Sequence, residues 1–502
     1  MKYDFFKLQF TEKETNPGKT AVAGSDTDMS WSRLQKISER LKVIFRETGV
    51  PEGHPVMIYG HKEAFYAAAL LACIHSGVTY IPADVIYPEE RLRRIQAQTG
   101  SQVIICCRET SLAEHFSISI SSTLEVTRHR TPCFEKAVYA PGGERLQYIM
   151  FTSGSTGEPK GVQITRNNVL TFLKWALHDF PFNGLDVFMN QVPFTFDVSL
   201  CDILLAFSHG ATLVLNAADV VKEQDKFMER LARYQCTVWT STPSFVFLFM
   251  RHASFNPDYL KSLRTFFFMG EDLPNRTCKN LRKVFPDCTI LNAYGPTEAT
   301  IVTTLVEITD AILDKYPSLP IGYPMPDSRL FLLKEDETQD SGELVISGPH
   351  VSPGYFKNEA QTARKFFNNQ GLQAFKTGDL SYFADGMFFY LGRNDDQVKM
   401  HGFRIELHEI SSTLCRNPLV EEAVTVPLKR GHEVKKIISF VILKNNTNAQ
   451  ECKEKLQEFL KDTLPYYMVP GDIIPVGAFL YNNSHKIDKN RMIEDYLITH
   501  GL

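Results

Sequence analysis

Between about residues 30 and 310, short apolar runs alternate with amphipathic stretches, and this alternation limits the fold more than any other feature. Pro55 to Tyr59 reads as a strand, Ala64 to Ser76 as a helix, Val78 to Pro82 as a strand, Glu89 to Gln98 as a helix and Val103 to Cys107 as a strand. Consecutive strands joined by a crossover helix run parallel, so the pattern predicts βαβ units and largely parallel sheets covered by helices. Three later strands leave into small or polar sequence. Cys236 to Trp239 precedes Thr240-Ser241-Thr242-Pro243-Ser244, Thr265 to Met269 precedes Gly270-Glu271, and Thr289 to Ala293 precedes Tyr294-Gly295-Pro296-Thr297-Glu298. Open α/β sheets bind ligands at the carboxyl ends of their strands, so these exits are expected to line one pocket.

The texture changes twice further on. From about 320 to 392, short strands with Gly and Asp turns, such as Gly342 to Gly348 and Asp385-Gly386, predict a β-rich subdomain. Near Gly392-Arg393-Asn394-Asp395-Asp396 a polar stretch reads as a linker or hinge, with enough chain beyond it for a small domain. A chain of 502 residues exceeds what one core usually serves. Its formal charge of −4 and lack of a basic face argue against nucleic acid as a partner. The charged start Met1-Lys2-Tyr3-Asp4 is unlike a signal peptide and no run reaches the roughly 18 apolar residues of a membrane span, so no membrane insertion and a cytoplasmic location are expected. The ten cysteines lack metal-ligand spacing and read as reduced core residues, Cys106-Cys107 within a buried strand.

One segment carries chemistry on its face. Phe151-Thr152-Ser153-Gly154-Ser155-Thr156-Gly157-Glu158-Pro159-Lys160-Gly161 combines glycines, hydroxyls and a lysine, the groups that hold phosphate. It fits neither the P-loop nor the G-x-G-x-x-G pattern. Leu146 to Phe151 reads as the strand entering it. Val169, Phe172, Leu173, Ala176, Leu177 and Phe180 form the apolar face of a following helix, N-capped by Thr165, so strand, loop, helix is the expected order.

That loop resembles a core motif of the adenylate-forming enzymes, the superfamily of acyl-CoA synthetases, luciferases and peptide-synthetase adenylation domains. So do Asn292 to Thr300, Lys376-Thr377-Gly378-Asp379-Leu380 and Gly392 to Glu406, in the family's order and spacing. Asn190 to Ser199, Val238 to Phe245 and Phe266 to Pro274 carry the likeness further, toward the D-alanine:D-alanyl carrier protein ligases. The resemblance implies an α/β fold: a large N-terminal domain, 1–393, with two mostly parallel sheets flanked by helices and the β-rich subdomain at about 320–392, then a small mobile α+β C-terminal domain, 394–502.

The implied reaction is attack of a carboxylate on the α-phosphorus of ATP, then transfer of the acyl group to a thiol. By resemblance, Thr152, Ser153, Thr156 and Lys160 hold the β- and γ-phosphates, Glu298 binds Mg²⁺, and Asn292, Tyr294, Thr297, Asp379 and Arg393 belong to the nucleotide site. Lys486 is implied as the catalytic lysine bridging α-phosphate and substrate carboxylate, although His485 stands where the family usually has Gly. Lys399 is implied for the thiol step and Asp395 for the hinge. Asp197 matches the aspartate that binds a substrate ammonium, which favours an amino acid over a simple acid, with Met269 and Ile301 lining the side-chain pocket. Family D-alanine ligases carry a small Cys at the Met269 position, so D-alanine comes first and glycine or L-alanine stay open. Only sixteen residues follow Lys486, so the implied acceptor is a phosphopantetheinylated carrier protein in trans. The alternatives are an acyl-CoA synthetase, against which Asp197 argues, and an inactive nucleotide-binding relative, against which the retained charged motif residues argue.

Overall fold

Helix Ala64–Ser76 shows how the chain builds its core: every residue from Ala64 to Ile74 is buried, so the helix is apolar on all sides, as expected of one covered by protein. It ends at Gly77, which takes φ 68° without a Cβ to clash. The computed structural model describes residues 17–134, 140, 143–154, 158–334, 336, 338–430, 433–444, 449–480 and 487–500. Thr156 and Lys486 lie outside them.

Among the described residues a seven-stranded sheet has Pro55–Gly60 at its centre, paired in parallel with Thr79–Asp84 and Val103–Cys106. Its far edge is formed by Leu146–Thr152 and then Lys160–Thr165. The segment after the glycine-rich loop is therefore a strand before it is a helix, which corrects the expected order. All six residues of Lys160–Thr165 are buried, and Gly161 is pressed against Ile149 and Phe151 so closely that an added Cβ would lie 2.7 Å from the Ile149 side chain. The helix then begins at Arg166 with Thr165 as its N-cap, in a reciprocal capping box with Asn168.

A fourteen-stranded sheet holds the three exits singled out above. Val238–Ser241, Thr265–Phe268 and Thr289–Tyr294 run parallel, with Ser241 beside Phe268 and Phe268 beside Asn292, so their carboxyl ends finish level. Beyond Thr289–Tyr294 the pairing turns antiparallel, through Thr304–Glu307 and Pro320–Pro324 to Met387–Arg393 and Leu372–Ala384. The β-rich stretch is thus an extension of this sheet.

The chain divides into two units. One comprises Met1–Val85, Gln96–Phe151 and Gly161–Gly392; the other comprises Ile86–Ile95, Thr152–Lys160 and Arg393–Leu502. In the second, a short hairpin pairs Gln397–Met400 with Phe403–Glu406 and leads into helix Leu407–Cys415. Val420–Arg430 pairs antiparallel with Glu433–Leu443, which runs parallel to Asp472–Pro475. Val426, Ile438, Phe440, Met492 and Tyr496 close a small core there.

Candidate active site

In the first unit, strand Thr289–Tyr294 sets out a row of polar groups. Asn292 is buried and donates from Nδ2 to the Pro320 carbonyl at 2.8 Å. The Tyr294 hydroxyl donates to the Asp379 carboxylate at 2.5 Å. Asp379 is presented by a bend: Gly378 takes φ 78° and donates its N–H to Glu343 at 2.8 Å, while the Asp379 N–H donates to the Thr377 hydroxyl at 3.0 Å. A carboxylate held on a backbone that rigid is well set to accept from a vicinal diol.

The strand exit Gly295 to Thr303 is folded back tightly. Thr297–Ala299 makes one 3-10 turn, and Glu298 within it is fully buried, accepting from the Tyr355 hydroxyl at 2.9 Å. Thr300 and Ile301 take φ of 55° and 70°, unusual for β-branched residues. The Thr300 hydroxyl donates to the His350 carbonyl at 2.6 Å, and a Cβ on Gly295 would lie 2.5 Å from the Ile301 carbonyl oxygen. Only glycine at 295 allows this approach. Buried His350 has its imidazole pushed down to about 4 by desolvation, so it is neutral at pH 7.

Asp197 is the first residue of helix Asp197–His209 and is 9% exposed. Phe196 occupies the cap position and no side chain caps this terminus, so Asp197 is not the helix cap. The segment before it is anchored from below. Lys62, fully buried, donates to the Asn190 side chain and to the Val192 carbonyl, each at 2.6 Å, and lies 4.0 Å from the centre of the Phe194 ring. Asn190 in turn donates to Asp202 at 3.0 Å. Burial pulls the Lys62 ammonium down to about 7 and pushes the Asp202 carboxyl up to about 7. Sequence reading missed Lys62, because His61-Lys62-Glu63 looks like a solvated helix start; no local pattern distinguishes it.

The buried Met269 side chain ends strand Thr265–Phe268, its N–H donating to the Ser241 carbonyl at 3.3 Å. Next to it Gly270 has φ 92°, and a Cβ there would meet the Thr242 and Val198 methyls at 3.4 and 4.0 Å. The 197–199 and 268–270 segments are therefore neighbours, and buried Ile301 is tied to the adjoining strand through Gly295.

In the second unit, Arg393 grips Asp395 in a two-pronged pair with both N–O distances 2.7 Å. Lys399 sits in the hairpin across from Arg404. Much of the described part of the glycine-rich loop is engaged: Gly154 N–H donates to Glu409 at 3.0 Å, Ser153 Oγ donates to the Arg404 carbonyl at 3.0 Å and accepts from Glu406 N–H at 3.2 Å, and Lys160 lies 3.4 Å from the Glu406 carboxylate. Arg91 donates to the other Glu409 oxygen at 2.6 Å. Arg91, Glu406 and Glu409 were not anticipated. One signal was available: Glu409 falls on the buried helix face with Ile410, Thr413 and Leu414, where a carboxylate needs a partner.

Among the described residues no cluster of three metal-ligating side chains occurs. Glu298 supplies one hard carboxylate, the donor number that Mg²⁺ uses when phosphates and water complete its shell. The first unit thus holds buried carboxylates at Asp197, Glu298 and Asp379, and the second holds a hydroxyl- and glycine-rich segment, groups suited to binding an ammonium, a metal, hydroxyls and phosphate.

Comparison with known proteins agrees with that chemistry. The profile of the AMP-binding enzyme family matches residues 10–356, and that of the AMP-binding enzyme C-terminal domain matches residues 409–486. The chain belongs to the AMP-binding enzymes, and like them it is an adenylate-forming ligase that uses ATP. It is 36% identical over 491 residues to the D-alanine--D-alanyl carrier protein ligase of Bacillus cereus (strain Q1), spanning 95% of this chain and 97% of that protein. The protein of the same description from Bacillus cytotoxicus is 34% identical over 487 residues, with the same coverage. In fold it matches the Vibrio cholerae adenylation domain AlmE, solved with glycyl-adenosine-5'-phosphate, with a TM-score of 0.82 over 99% of this chain and 97% of that one, at 23% identity. No helix among the described residues is long and apolar enough to cross a membrane.

Proposed function

We propose that the chain activates D-alanine as an aminoacyl-adenylate with ATP and passes the acyl group to the phosphopantetheine thiol of a separate carrier protein. The observation that carries this reading is the buried Asp197 carboxylate at a helix start next to the Met269-Gly270 strand end, a place where a carboxylate can receive an amino acid's ammonium, and the relatives described as D-alanine--D-alanyl carrier protein ligases support a small side chain. In this scheme Asp379 receives the ribose hydroxyls and Tyr294 flanks the adenine, with Asn292 and Thr297 on the same wall and Arg393 reaching the ribose once released from Asp395. Thr152, Ser153, Thr156 and Lys160 hold the β- and γ-phosphates. Glu298 would hold Mg²⁺, which supplies charge neutralisation at the phosphates. Lys486 offsets charge on the α-phosphate and the attacking carboxylate, and positioning plus electrostatics supply the rate. Ile301 and Met269 set the size of the side chain admitted.

Pyrophosphate exchange measured with D-alanine, L-alanine, glycine, larger amino acids and propionate tests this. D-Alanine is expected to give the fastest exchange, with glycine next. Faster exchange with propionate than with any amino acid ends the reading of Asp197.

The second half-reaction assigns Lys399 to the thiol step and requires residues 394–502 to move as a domain about Asp395. Replacing Asp395 by proline fixes φ and removes the partner of Arg393. Transfer to the thiol is expected to fall by about tenfold or more, as for a barrier raised near 1.4 kcal/mol, with adenylation spared. Equal losses in both half-reactions, followed separately by exchange and by single turnover, refute the hinge.

A further inference from the structure

Three of the groups that a phosphate loop offers to a triphosphate, at Ser153, Gly154 and Lys160, are engaged in this structure by the protein's own groups. Gly154 N–H faces Glu409 at 3.0 Å, the Lys160 ammonium faces Glu406 at 3.4 Å, and the Ser153 hydroxyl is bound between the Arg404 carbonyl and the Glu406 N–H. These pairs are buried: the Lys160 and Glu406 side chains are 7% and 10% exposed, and those of Arg91 and Glu409 3% and 1%. Both carboxylates are themselves held in place, Glu409 by Arg91 at 2.6 Å and Glu406 by the Gln397 amide at 2.7 Å. Glu158, on the loop's far side, is held by Arg416.

A carboxylate and a phosphate present the same thing to such donors, a pair of anionic oxygens at hydrogen-bond distance. One backbone N–H cannot serve two anions at once, and the Lys160 ammonium, though it has three donors, is drawn toward Glu406 and away from a second anion. We propose that Glu406 and Glu409 act as phosphate surrogates: they occupy Gly154 and Lys160 once pyrophosphate has left, so that this arrangement of hairpin, helix and loop excludes the triphosphate and is selected by its departure. The inference rests on the reading of residues 152–160 as the phosphate clamp. It makes both glutamates positioning residues for the second half-reaction. It also gives pyrophosphate release a role: until the loop is empty, the hairpin carrying Lys399 cannot lock. Thr152 adds a hydroxyl whose oxygen is buried without a hydrogen-bond partner among the described residues, a donor left over for phosphate.

The energetic consequence is a competition. Affinity for pyrophosphate is reduced by the fraction of molecules already latched, and weakening the latch restores it. The full chain and its Glu406→Gln, Glu409→Gln and Lys160→Met variants are compared in two measurements: calorimetric binding of magnesium pyrophosphate, and single-turnover transfer of D-alanine from preformed adenylate to pantetheine. The two glutamine variants keep the side-chain shape and lose the charge. Each is expected to bind pyrophosphate more tightly, by about 5- to 50-fold if one charged hydrogen bond is lost, while transfer slows by a similar factor. A residue that merely supports the fold would weaken both. Glu409→Gln leaves Arg91 buried without its counter-charge; if that variant fails to fold, Glu406→Gln decides. Unchanged or weaker pyrophosphate binding in the glutamine variants overturns the proposal. Lys160→Met separates the two layers: if it leaves pyrophosphate binding intact, the clamp reading itself falls, whereas loss of binding there with no gain in the glutamine variants condemns the surrogates alone.

Discussion

Asparagine in place of Asp197 is expected to lower kcat/KM for D-alanine by about 10²- to 10³-fold, the cost of removing one partner from a buried charge pair. Asparagine matches aspartate in shape, so the pocket keeps its size and loses only its charge. Asp197 is 9% exposed at the first position of a helix, where the N-terminal dipole favours the ionised carboxylate that an ammonium would pair with. Propionate, which has the carboxylate but no amine to pair with Asp197, is expected to be activated no worse by the variant. The measurement is pyrophosphate exchange against substrate concentration for both acids. Parallel losses for D-alanine and propionate assign Asp197 to the fold rather than to the substrate.

The second large effect concerns a residue outside the described part of the chain. Lys486→Ala is expected to slow adenylation by about 10²- to 10³-fold, the usual consequence of removing one fixed electrostatic stabiliser from a reaction that gathers charge in its transition state. Transfer from preformed adenylate to a thiol should be nearly unchanged, because in the proposed second half-reaction residues 394–502 have moved and carry Lys486 with them. Exchange kinetics and single-turnover transfer separate the two. An adenylation rate equal to that of the parent chain rules out Lys486 as the bridging lysine. His485→Gly restores the residue usual in the family, and its effect on the adenylation rate reports what the histidine costs or adds there.

The sequence was most readable where short-range physics decides. Ala64–Ser76 comes out as expected because thirteen residues without a polar face can only be a buried helix. Thr165 caps its helix because its hydroxyl and the Asn168 side chain satisfy each other's backbone donors three residues apart. The exits at Ser241, Phe268 and Asn292 lie level because parallel neighbours joined by helices end on the same side. Strand Lys160–Thr165 was missed: its Gly-Val-Gln-Ile-Thr pattern follows a glycine-rich loop and reads as that loop's tail until the sheet edge it joins is known. Sheet pairing of the 320–392 stretch likewise depends on which edge is open, a long-range property. Arg91 and Glu409 are 318 residues apart, and nothing in either neighbourhood announces the other. The motifs gave the residues proposed to face the nucleotide because each is a cluster of chemically matched side chains within one exit. They did not give the supports beneath them, Lys62 and His350, whose importance comes only from burial.

The cysteines, first noted only as unremarkable core residues, bear on the fate of the activated amino acid. An aminoacyl-adenylate is a strong acylating agent, and the nearest nucleophile able to intercept it is a thiolate. Cys201 lies one helical turn from Asp197, yet it is fully buried, and desolvation together with the charges of Asp202 and Asp197 pushes its thiol well above the usual range. Cys73, Cys107 and Cys236 are pushed up likewise, burial being the main cause in each. These thiols stay protonated at pH 7 and are inert to the mixed anhydride. Burial thus keeps these four sulfurs neutral, Cys201 near Asp197 among them, whereas Cys133 and Cys415, expected in the core, are exposed instead.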